Sequence, residues 1–150
     1  MSRLARLVMV LGRLREVERQ AGERLAACEA QRAAHAQRLA DLYRYAAEYR
    51  GRGQIGAVAA STLREHQQFV ARLERLALGQ EQALAAAERA CAQQRAELLR
   101  HRRRSEGLQR VIERQRARAR QQLERREQRA LDDWVNGRPR AAGAGEVQGR

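Results

Sequence analysis

Three histidines, two cysteines and a run of glycines are the residues of this 150-residue chain from which chemistry could be built. Metal binding or covalent catalysis requires such groups to have partners at helical or hairpin spacing. Cys28 and Cys91 have no Cys or His at ligand spacing, so they make neither a zinc site nor a disulfide framework. His35, His66 and His101 recur at one position of a heptad repeat, where a polar break in an apolar seam is the simpler reading. None has a ligand partner a turn away. Gly51, Gly53 and Gly56 lack the Lys and Ser/Thr of a phosphate-binding loop. No nucleophile–base set is visible. The chain therefore reads as a non-enzyme with no metal, no cofactor and no small-molecule substrate.

The elements that carry these residues follow from composition and periodicity. A third of the residues are charged, 3% are aromatic and one is proline, the profile of long helices or coiled coils. With so few bulky apolar groups, the buried surface is expected to be a narrow seam. All 31 basic residues are arginine, and the net charge of +13 favours acidic partners. The apolar run Leu7 to Leu11 is far too short to span a membrane. Arg13 and Arg15 follow it without a cleavage pattern, which argues against a signal peptide. A reducing cytoplasm is the expected location.

With Leu4 at heptad position a, the a positions are Leu4, Leu11, Glu18, Leu25, Arg32, Leu39 and Ala46. The d positions are Leu7, Leu14, Ala21, Cys28, His35, Leu42 and Tyr49. Eleven of these fourteen are apolar, which predicts a coiled-coil seam. It stops at the glycines of 51–56 and resumes at Leu63, after a capping box formed by Thr62 and Glu65. The second seam continues through Val70, Leu73, Ala77, Leu84, Ala87, Cys91, Leu98, Leu108 and Ile112. The fold is thus expected to be all-α: one long antiparallel two-helix coiled-coil hairpin with a basic helical C-terminal extension. Its expected bounds are helix 1 at about 3–50, a loop at 51–61, helix 2 at about 62–135 and a disordered tail at 136–150.

Placing Tyr49 opposite Leu63 predicts that facing residue numbers sum to about 112, with Leu14 opposite Leu98 and Leu4 opposite Leu108. Each arm is then about 70 Å long, at ~1.5 Å per residue. In this register the cysteines miss each other by about a heptad. A one-heptad slip would pair them but would unwind the start at Thr62, so the register near 112 is preferred. Residues 109–135 are left without an intramolecular partner, Ile112 and Leu123 among them, and Ser105-Glu106-Gly107 reads as a joint.

Tyr43, Tyr45, Tyr49 and Phe69 cluster near the loop end. Tyr49 belongs to the seam. Tyr45, Phe69 and Leu76 all fall on g positions, which adjoin across an antiparallel pair, so they predict a half-buried apolar edge that suits partner binding or caps a fraying end. Residues 101–130 carry eleven Arg and four Glu. This arm reads either as a solvated helix with pairs such as Glu106–Arg110 or as an insert for an acidic protein groove. It has no sequence-specific nucleic-acid signature, and nucleic acid is not an expected partner. Nonspecific nucleic-acid binding and self-association of the overhang remain alternatives.

The segment Leu42-Tyr43-Arg44-Tyr45-Ala46-Ala47-Glu48-Tyr49-Arg50, the glycine loop and Gln67-Gln68-Phe69-Val70-Ala71-Arg72-Leu73-Glu74 resemble the FliJ family of bacterial flagellar export proteins. The family pattern is a Tyr-x-x-x-Tyr-Arg ending the first helix, then Gln-x-Phe-x-x-x-Leu early in the second. Some thirty residues carry specific identity, and length and layout agree. The resemblance implies a cytoplasmic stalk-like coiled coil of the type III export apparatus, peripherally associated with the inner membrane. Its implied partners are the export ATPase hexamer, the cytoplasmic domain of the export gate and export chaperones. Gate-contacting positions carry over to Leu42, Tyr45, Tyr49, Phe69, Leu73 and Leu76. The pattern is broken at Arg38 and Gln80, where Gln and His are expected, which puts those flanking contacts in doubt. The end with both termini, including Leu7, Leu11, Leu14, Arg103, Arg104 and Ile112, is implied to meet the ATPase ring. The stalk protein of a virulence-type secretion system is the nearest alternative.

Overall fold

The computed structural model describes the backbone of residues 1–53 and 59–148 and the side chains of 1–52 and 59–137. Two helices account for nearly all of it, α1 over Arg3–Gly53 and α2 over Ala60–Gln148, packed on each other as a helical hairpin. The all-α expectation holds, and the described residues contain no strand.

α1 opens on a cap that the heptad reading did not name. Ser2 Oγ accepts from the Ala5 N–H at 3.1 Å, and the Ser2 carbonyl accepts from the Arg6 N–H at 3.1 Å. One donor left unpaired at the helix start is thereby satisfied by a side chain. α1 also runs through Gly51 instead of stopping there. α2 begins two residues before the expected Thr62, with the Ala59 carbonyl accepting from the Leu63 N–H. Residues 54–58, the middle of the expected loop at 51–61, lie outside the described residues.

The chain divides into two compact units, residues 14–104 and residues 1–13 with 105–150. In the 14–104 unit the buried side chains are Ala21, Ala46, Val70, Ala77 and Cys91, so the seam is as narrow as the composition requires. Its register differs from the expected one. Contacts join Glu18 to Arg102, Glu29 to Arg95, His35 to Gln80, Tyr43 to Glu81, Tyr49 to His66 and Phe69, and Arg50 to Glu74. These residue numbers sum to 115–124 and centre near 120, about one heptad beyond the expected 112. The start of α2 at Ala60 removes the objection to that slip.

One polar layer is bonded across the seam. Gln80 Nε2 donates to the His35 carbonyl oxygen at 3.0 Å and lies 2.9 Å from His35 Nδ1. The histidine thus belongs to the packing, and the described residues hold no cluster of metal-ligating side chains. Elsewhere on α1, Arg19 bridges Glu16 and Glu23 along one helix face. Hydrogen bonding by Arg19 holds the Glu16 carboxyl below its usual range. Water screens such exposed pairs, so they contribute little to stability.

In the other unit, Leu11, Ser105 and Ile112 are buried. Ile112 was expected to lie beyond the paired part, but at 1% exposure it is the largest fully buried side chain. Burial on α2 ends at Ala117, and every described residue from 118 to 137 is exposed. The overhang therefore begins some nine residues later than expected, as the register shift requires. α2 is unbroken through the expected joint at Ser105-Glu106-Gly107, although the two units divide between Arg104 and Ser105. Asn136 and Gly137 remain helical, and the rest of the expected tail lies outside the described side chains.

Gly79 is an exposed helix-interior glycine, and a Cβ added there meets nothing within 4 Å. Gly79→Ala is expected to raise the unfolding free energy by about 0.5–1 kcal/mol, because alanine loses less backbone entropy in a helix. Denaturant titration of the two chains measures it.

Candidate functional site

The surface best suited to bind a partner lies at the loop end of the 14–104 unit. Heptad periodicity puts Leu42 and Tyr49 of α1 and Leu73 of α2 on the seam, where each is half-buried. The g positions lie beside the seam, so their side chains cannot be fully covered by two helices. Tyr45 is 50%, Phe69 36% and Leu76 60% exposed. The ring packed on Phe69 is that of Tyr49, with centroids 4.6 Å apart and planes tilted by 46°. His66 flanks Tyr49 at 6.0 Å. The sequence reading paired Phe69 with Tyr45, and the register shift explains the exchange. Arg44 stands 5.9 Å from the Tyr45 ring and Arg52 5.5 Å from that of Tyr49, so cations border both tyrosines. All six gate-type positions thus fall in one unit. Two form a ring contact, and three present apolar surface to solvent.

A second edge of the same end was missed. Tyr43 donates its hydroxyl hydrogen to Glu81 Oε1, and Arg50 pairs with Glu74. Two shallow grooves share Arg50 and Glu74. One of about 330 Å³ is lined by Leu63, His66 and Val70 among others, and one of about 340 Å³ by Tyr43, Ala46 and Leu78. Tyr43 was noticed as an aromatic but not placed. Its e position, one residue after the d-position Leu42, was the available signal.

The positions implied for the ATPase ring do not form one exposed patch. Leu11 and Ile112 are buried and Leu7 is half-buried in the unit of residues 1–13 and 105–150. Leu14, half-buried, and the exposed Arg103 and Arg104 belong to the 14–104 unit. Val8, Met9, Val10 and Val111, which the sequence reading did not single out, are 39–50% exposed in the first of these units. The overhang is also less basic than expected. Across 118–137 five arginines stand against four acidic residues, a net of +1 out of the chain's +13.

Among the described residues, no helix is long and apolar enough to cross a membrane. No curated protein and no solved structure matches the chain. A family model described as "Flagellar FliJ protein" does, over residues 2–143, nearly the whole chain. With the hairpin and the two aromatic motifs in place, that match makes the chain a member of the FliJ family, a component of flagellar type III protein export.

Proposed function

We propose that this FliJ-family chain acts in the cytoplasm as a stalk between the export ATPase hexamer and the cytoplasmic domain of the export gate, at the inner membrane, and handles export chaperones. The observation that carries the reading is the exposed edge of Tyr45, Phe69 and Leu76, mounted on a packed two-helix seam. Aromatic side chains held by a rigid support bind with little loss of conformational entropy, which is the usual make-up of an interface hot spot. Leu42, Tyr49 and Leu73 support the edge from the seam. For the ring, Leu7, Leu11 and Ile112 would act through exposed neighbours of their own unit such as Val8, Val10 and Val111, and Leu14, Arg103 and Arg104 would be separate contacts on the 14–104 unit. The reaction chemistry belongs to the ATPase, and this chain supplies docking surfaces.

The double variant Tyr45→Ala, Phe69→Ala is expected to weaken binding of the gate domain by at least about 30-fold, the loss of one strong hot spot. Isothermal titration with the gate domain of the same organism measures it, while helicity and ATPase binding stay unchanged. Tyr45→Ala with Leu76→Ala leaves the Tyr49–Phe69 stack intact and should weaken binding too. Unchanged gate affinity in both variants rejects the tip as the gate contact.

A further inference from the structure

We propose that Cys28 and Cys91 are a redox-responsive thiol pair that closes a reversible disulfide between α1 and α2. The inference comes from the register. Tyr43–Glu81, Arg50–Glu74 and Glu29–Arg95 are edge pairs whose numbers each sum to 124. On α1 each edge residue follows its seam residue by one, and on α2 the facing seam residue lies one turn, four positions, earlier. Seam layers therefore sum to 119, the sum of 28 and 91. The Glu29–Arg95 ion pair, at 3.5 Å, borders this layer directly, because Glu29 follows Cys28 and Arg95 lies one turn beyond Cys91. Both thiols are free, Cys91 buried at 2% exposure and Cys28 half-buried.

Two features suit the pair to cross-linking. A disulfide needs Cα atoms within about 7 Å, closer than helices separated by leucines allow. In the cysteine layer no leucine stands on either side, and other layers of the seam also carry a small buried side chain: Ala21, one heptad before Cys28, is 0% exposed, and Ala77, two heptads before Cys91, is 3% exposed. The unequal burial also gives the two thiols an order of reaction. Hydrogen peroxide reaches Cys28 first and oxidises its thiol to a sulfenic acid, releasing one water. Cys91 Sγ then attacks Cys28 Sγ and displaces the hydroxyl group, which leaves as water with the Cys91 proton. The S–S bond forms, two hydrogens are lost from the protein and one peroxide becomes two waters. A dithiol reductant reverses the bond by exchange. The closed link ties the helices in the middle of the hairpin and blocks sliding by a heptad. The aromatic edge lies several turns away and stays open to its partner.

The test treats the full-length native chain with hydrogen peroxide and quenches it by alkylation in denaturant. The expected product is a monomer lighter by two hydrogens, with no alkylated thiol and one cross-linked peptide joining Cys28 to Cys91. Its Tm rises, and dithiothreitol restores the original value. Cys28→Ser, with unchanged helicity, should show neither the cross-link nor the rise. Two alkylated cysteines after peroxide, oxygen adducts on Cys28 alone, a disulfide between two chains or an equal Tm rise in Cys28→Ser would each overturn the proposal.

Discussion

Ile112→Ala is expected to lower the unfolding free energy by about 3 kcal/mol, within the range for truncating a buried isoleucine. Ile112 is 1% exposed in a seam only two helices wide, so few neighbours can collapse into the space it leaves. Most of the lost transfer energy and the added cavity term should therefore appear in the measurement. Leu123→Ala is the matched control. Leu123 is 56% exposed on the same helix, and its truncation should change stability by no more than about 0.5 kcal/mol. Denaturant unfolding followed by circular dichroism compares the two. Equal effects at both positions would mean that the pairing of α2 ends before Ile112.

A buried charge at Ala21 should cost more. Ala21 is 0% exposed at a d position, and a carboxylate there would be removed from water. Glu18, one turn away, already bonds Arg102, so a second carboxylate would stand beside a like charge. Ala21→Asp is expected to lose about 3–5 kcal/mol, typical for an ion buried without a partner. That exceeds half the stability of many domains of this size, so Tm should fall sharply. Ala26→Asp, at an exposed position on the same helix, should leave Tm nearly unchanged.

These contrasts show how far the sequence could be read. The two seams were legible because the apolar residues recur every three and four positions, and Leu11, Ala21, Ala46, Val70 and Ala77 are buried as that period requires. The register was not. A heptad seam looks the same after sliding by seven residues, so apolar pairs recur in either alignment. The edges break the tie. In the observed alignment Glu29 meets Arg95 and Arg50 meets Glu74, whereas a slide to 112 would set Glu29 opposite Glu88 and Arg50 opposite Gln67. Each exposed pair contributes up to about 1 kcal/mol, so a few together outweigh a seam that is nearly indifferent. The wrong register then propagated. It placed Ile112 in the overhang, set Tyr45 beside Phe69 and separated the cysteines.

The candidate site was legible to a similar degree. The g positions of Tyr45, Phe69 and Leu76 follow from the heptad on each helix separately, so a slide left them exposed on the same edge. The bonds of Tyr43 to Glu81 and Arg50 to Glu74 depend on which residues face each other and could not be seen without the register. The cap at Ser2 escaped because the seam was counted from Leu4, and Ala5, three residues after Ser2, is not the Glu or Gln of a capping box.

Everything from the buried isoleucine to the thiol pair rests on how the two helices are aligned. The most direct measurement is chemical cross-linking in a Cys28→Ser, Cys91→Ser background, with new cysteines at Glu18 and Arg102, which pair in this alignment, in one chain and at Glu18 and Arg95, level only in the alignment near 112, in another. A short bismaleimide should join the first pair within the monomer and leave the second open. Efficient closure of the second pair, with the first unreacted, would contradict the alignment and the account built on it.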